Sequence, residues 1–193
     1  NTVRIPFTHG TVLKNEFVWA SAAIGHNPEL GNIPYVHLLV LLAREAARRG
    51  LLIVLQAAVL NLYSEDVGLW YSPGVPEDQV GLSWRRLARA LCPESNVIGV
   101  DLHYNPWSAG WGSGDEATDW RLGASRMGNT VLEHCERWLV MVQGVGGERL
   151  DASTGQRLAE GGGDAEVFAG ENLVGASEAA VDLDVPDRLV YIS

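Results

Sequence analysis

Five short apolar runs constrain this chain more than any other feature. They are Thr2 to Phe7, Leu51 to Leu55, Val97 to Leu102, Trp138 to Val142 and Arg188 to Ile192. Each is near-continuous rather than alternating, which is what a strand needs when both faces of its sheet are covered, as in a parallel sheet. Helical patterns separate the runs. Tyr35 to Arg49 carries Val36, Leu39, Val40 and Ala43 on one face, with Gly50 where a helix would stop. Gln79 to Leu91 sets Leu82, Leu87 and Leu91 against Arg85, Arg86 and Arg89, and Ala117 to His134 follows Asp115 and Glu116, which suit the positive end of a helix. Strands alternating with helices predict a parallel α/β fold. The alternation alone does not separate a barrel from an open doubly wound sheet. Neither GxGxxG nor GxxxxGK[ST] stands at a strand-to-helix turn, which removes the usual nucleotide-binding motifs.

Composition narrows the function classes. The 193 residues carry a formal charge of −10, so the chain repels phosphate backbones and nucleic acid is not an expected partner. Neutral sugars remain possible ligands, because they need stacking surfaces and hydrogen bonds more than charge. No apolar run approaches the roughly 20 residues of a membrane span. Two cysteines allow at most one internal disulfide. The stretch 147–187 differs from the rest. It is rich in Asp and Glu, contains Gly161, Gly162 and Gly163, and reads as a long solvated rim connection within a single domain over 1–193. His9, His26, His37 and His134 are scattered without metal-ligand spacing, so neither a metal nor a cofactor is expected.

The segment from Val97 to Trp107, with Asp101, Leu102, His103, Tyr104, Asn105 and Pro106 in order, resembles the fourth strand of family 5 glycoside hydrolases of the cellulase type. That strand typically ends in Asp-Leu-His or Asp-Leu-Arg followed by Asn-Glu-Pro. The resemblance continues through Trp111 to Asp115, Thr118 to Leu122, Gly128 and Asn129, and Trp138 to Val145. Asn1 to Phe7 resembles the second strand, Leu69 to Tyr71 the loop after the third, and Val185 to Tyr191 the entry to the sixth. The resemblance implies a partial (β/α)₈ barrel, strands two to six, all parallel. A closed barrel takes about 250 residues. The family's first strand is therefore expected before Asn1 and its last two after Ser193, with another chain or domain covering the open edges.

Retaining glycosidases need two carboxyl groups flanking the scissile bond, one a nucleophile and one an acid/base. The resemblance puts the acid/base at Asn105, with Tyr104 at the preceding Asn position. A one-residue slip would make Asn105 the family Asn and delete the Glu. Neither register supplies a carboxyl, and an amide does not cycle a proton at neutral pH. The family's strand-three His falls on Ala58, and its nucleophile belongs on a seventh strand. Arg4 keeps the place of an Arg that helps hold the nucleophile. No catalytic residue is thus expected intact. Asp101 is expected to be a buried hydrogen-bonded support and His103 a satisfied core residue.

Arg4, Trp70, Tyr104, Asn105, Trp107 and Trp111 form the expected substrate-binding set, since aromatic faces stack on sugar rings and these loops face the C-terminal rim. Packing of the rim loops is the alternative role for the tryptophans. Two functions stay open. One is a piece of a β-1,4-glucan hydrolase. The other is a non-catalytic carbohydrate-binding, structural or interaction module, favoured by the changes at both Asn105 and Ala58. The cellulase resemblance also implies an extracellular or secretory location. In such an oxidising compartment Cys92 and Cys135, just before the family's fourth and fifth strands, could pair. Two reduced, partly buried thiols are the alternative.

Overall fold

The protein is described here from a computed structural model, which covers residues 1–17, 27, 30–62, 67–146 and 172–193. Of the acidic, Gly-rich rim connection predicted over 147–187, residues 147–171 lie outside the described residues, and Val174–Ser177 form a short 3-10 helix. Five strands form: β1 (Thr2–Thr8), β2 (Leu52–Val59), β3 (Val97–Asp101), β4 (Leu139–Gln143) and β5 (Leu189–Ile192). They pair in chain order β1-β2-β3-β4-β5, every pair parallel. The expected partial barrel is therefore the observed architecture. Among the described residues β1 and β5 each pair on one side.

The register sorts the side chains into two faces, because side chains alternate across a strand. One row runs Ile5, Leu55, Val100, Val140 and Leu189. It belongs to the apolar core beneath the helices. The adjacent row runs Pro6, Gln56, Asp101, Met141 and Val190, on the opposite, concave face. Gly99 permits a close approach there: a Cβ would lie 2.5 Å from the Leu139 carbonyl oxygen.

Four helices are described: α1 (His9–Lys14), α2 (Tyr35–Arg48), α3 (Glu77–Leu91) and α4 (Trp120–Leu132). α2 buries Val36, Leu39 and Ala43, and the chain leaves it through Gly50 at φ 69°, a left-handed conformation that favours glycine. α3 follows Pro76 and carries Glu77 and Asp78 in its first turn, where the dipole favours acids. Its buried face includes Val80, Trp84, Leu87 and Leu91. Trp70, Trp84, Trp120 and Trp138 are all sealed in the core.

The structure differs from the expected elements in three places. α1 is an additional helix, capped by the Thr8 hydroxyl at the Thr11 N–H and closed by left-handed Asn15. α4 begins at Trp120 and its cap is Asp119, whose carboxylate accepts from the backbone N–H groups of Arg121, Gly112 and Gly114. Asp115, expected at the helix start, instead closes the preceding turn by accepting from Ala117 N–H and the Thr118 hydroxyl. Third, β2 and β4 run past the expected ends to include Gln56 and Gln143. Cys92, at the end of α3, is bonded to Cys135, just after α4, with Cα atoms 5.6 Å apart. No described helix is long and apolar enough to cross a membrane.

Candidate functional site

The concave face holds a polar cluster at the level where β2, β3 and β4 end. Asp101 is the one acidic residue in the five strands, and it is fully buried. Its Oδ2 accepts from Gln56 Nε2 at 2.8 Å, Gln143 Nε2 at 2.9 Å and Arg4 Nη1 at 3.4 Å. Burial pushes the Asp101 carboxyl above the ordinary carboxylate range, and the two amide bonds and the Arg4 charge pull it back only in part. Burial prevails because the Arg4 contact is long and its side chain is 45% exposed to water, which screens the pair. Asp101 is thus a buried group supported through Oδ2, as the sequence led us to expect, while its Oδ1 is buried with no hydrogen-bond partner among the described residues.

Gln143 extends the cluster to the rim. While its Nε2 donates to Asp101, its Oε1 accepts from the Asn105 N–H at 2.9 Å. Asn105 sits at φ 59°, and its Oδ1 is buried with no hydrogen-bond partner among the described residues. Its neighbour Tyr104 donates its N–H to the Ala57 carbonyl at 2.9 Å, and the Tyr104 side chain is 54% exposed. Trp107 is 44% exposed and lies over Gly68, where a Cβ would come within 2.5 Å of the indole. Ala58 offers only a methyl group, one residue beyond the Ala57 carbonyl.

The structure thus brings Tyr104, Asn105 and Trp107 together beyond the end of β3, while Arg4 sits lower, level with Val54, and reaches up to Asp101. It separates the other two aromatics from the rim residues. Trp70, expected on a sugar platform, is 1% exposed. It packs against Trp120, with ring centroids 5.4 Å apart, and so close to α4 that only Gly123 fits beneath it. Its role is packing, because a ring enclosed in the core has no face left for a sugar. Trp111 is half-buried. It donates Nε1–H to the Ala179 carbonyl at 2.8 Å and packs on Tyr191, so it ties the 172–193 segment to the rim. His103 is buried edge-on to Trp120, in agreement with the expected core role.

Gln56 and Gln143 were absent from the sequence-derived set. The available signal was an amide at an inward-facing position next to an apolar run, which in a buried strand demands a hydrogen-bond partner. Among the described residues no three His, Cys, Asp or Glu side chains converge on a point.

This arrangement can be set beside known proteins. No protein-family model matches the chain. An endoglucanase of Paenibacillus polymyxa is 32% identical over 192 residues, 99% of this chain and 45% of that protein. The major extracellular endoglucanase of Xanthomonas campestris is 30% identical over 150 residues, 75% of this chain and 30% of that protein. This chain is a relative of the family 5 cellulases. Solved cellulase structures agree. The catalytic domain of the Xanthomonas enzyme superposes with a TM-score of 0.80 at 27% identity, over 99% of this chain and 52% of that one. An endocellulase of Pyrococcus horikoshii, crystallised as a variant with cellotetraose, gives 0.80 at 26% over the same shares. The chain therefore spans about half the length of the cellulases it matches.

Proposed function

We propose that this chain binds β-1,4-glucan at the concave rim without cleaving it. The observation that carries the proposal is the end of β3. There a cellulase of this family would present its acid/base, whereas this chain has Asn105 beside exposed Tyr104 and Trp107. An amide cannot supply the proton that leaving-group departure requires. The one carboxyl in the strands, Asp101, is sealed beneath the rim with three donors on its Oδ2. Support for the ligand class comes from the endoglucanase relatives and from the cellotetraose complex of the Pyrococcus enzyme. The secreted character of the Xanthomonas relative supports an extracellular location.

A second reading is half of an active endoglucanase, favoured by an alignment that stays continuous over 192 residues yet covers 45% of the Paenibacillus enzyme. It requires another residue to take over the proton transfer that Asn105 cannot perform.

Calorimetric titration with cellotetraose tests the binding claim. Tyr104→Ala and Trp107→Ala should each weaken affinity about tenfold, equivalent to roughly 1.4 kcal/mol of lost stacking. Unchanged affinity in both variants would remove the two rings from the site.

A further inference from the structure

Asn105 is in a left-handed conformation, φ 59°, which asparagine tolerates better than most non-glycine residues. Its hydrogen bonds fix how the turn sits against the strands. Among the described residues, backbone bonds anchor the flanks of the turn from outside: Tyr104 N–H to the Ala57 carbonyl, Ser108 N–H to the Gly68 carbonyl and, longer, Gly146 N–H to the Pro106 carbonyl. At Asn105 itself the N–H donates to a side chain, Gln143 Oε1. That bond depends on one amide and on which way the amide points. Asp101 Oδ2 draws Gln143 Nε2 toward it, so Oε1 is left facing Asn105. Gln143 is 6% exposed, and this pair of bonds fixes its orientation.

We infer that Gln143 is the positioning residue of the rim: oriented by Asp101, it fixes the Asn105 turn and so sets how Tyr104 and Trp107 are presented to glucan. This rests on the glucan-binding reading above. The residue itself lies below the rim and touches no sugar in this scheme. Three groups face Asp101, namely Arg4 from β1, Gln56 from β2 and Gln143 from β4. Of these Arg4 alone carries charge, so replacing the Gln143 amide by a carboxyl adds a second acid to a site built for one.

Two variants test this. Gln143→Leu removes the acceptor and should accelerate hydrogen exchange at the Asn105 amide, followed by NMR, and weaken cellotetraose binding about tenfold. Gln143→Glu keeps the shape and provides a readout that loss of packing would not move. At about pH 5 the introduced carboxyl can hold a proton, donate to Asp101 and accept from Asn105, so affinity should stay near wild type. Toward about pH 8 two carboxylates would face each other, and affinity should fall with a slope steeper than wild type. Parallel pH profiles for Gln143→Glu and wild type, or Asn105 exchange unchanged in Gln143→Leu, would overturn the inference. Should the wild type fail to bind cellotetraose, the glucan-binding reading fails. The exchange rate of Asn105, measured without ligand in wild type and in both variants across the same pH range, then decides the positioning role by itself.

Discussion

His9, the first residue of α1, is sealed against α3, with Phe7 and Trp84 edge-on to its ring and the Ser83 hydroxyl at Nδ1. Burial, aided by the nearby charge of His103, lowers its pKa from 6.5 to about 3. The fold therefore holds His9 neutral, while the unfolded chain takes up a proton below about pH 6.5. Stability from this residue is complete above that value and declines as pH falls from 6.5 toward 3. Urea midpoints recorded between pH 7 and pH 4 should fall for the wild type and fall less for His9→Gln, which keeps a polar partner for Ser83 but does not titrate. Equal slopes in the two proteins would show that His9 is not the source. Legibility at this scale was uneven. Asp101 was readable as a buried support and His103 as a core residue because polar residues in apolar runs need partners. Trp70 was not, because sequence places it in a rim loop but cannot show that the loop folds inward onto Gly123. Gln56 and Gln143 escaped notice because each follows directly after an apolar run and looked like its end.

At the scale of elements, the disulfide joins the C-terminal ends of α3 and α4. It lies beneath β3 and β4, with Arg137 alongside donating to the carbonyls of Cys92, Glu94 and Val97. Its 43-residue separation corresponds to about 4 kcal/mol in the chain-entropy account. A Cys92→Ser, Cys135→Ser double variant should lose stability on that order in urea unfolding at fixed pH. A loss below about 1 kcal/mol would show that the bridge contributes little beyond the native packing. The pairing was anticipated because parallel neighbouring strands bring their preceding segments together. α2 was legible from its apolar stripe and α3 from Leu87 and Leu91, whereas Leu82, read with that stripe, is exposed. α1 was not, since six residues are too few to display a period and its caps, Thr8 and Asn15, are also ordinary turn residues. The start of α4 was misplaced because three acidic residues precede it, and only the structure shows that Asp119, rather than Asp115 or Glu116, is the cap.

For the whole molecule, the order and direction of the strands followed from unbroken apolar runs separated by amphipathic helices, and the resemblance to cellulases distinguished a barrel arc from a doubly wound sheet. The helix-facing side is closed by the apolar core, while the other side carries the polar cluster and opens at the rim. That asymmetry makes the concave face the surface on which a glucan would lie. A barrel enzyme of this family places its chemistry at the same rim. What happens to a glucan held there separates binding from cleavage. The most direct measurement is to titrate the intact protein with cellotetraose in a calorimeter and then chromatograph the sugar from the same cell after prolonged incubation. Saturable binding with the cellotetraose recovered whole is the predicted result. Absence of binding, or shorter sugars above a protein-free blank that disappear in an Arg4→Ala protein, would contradict it.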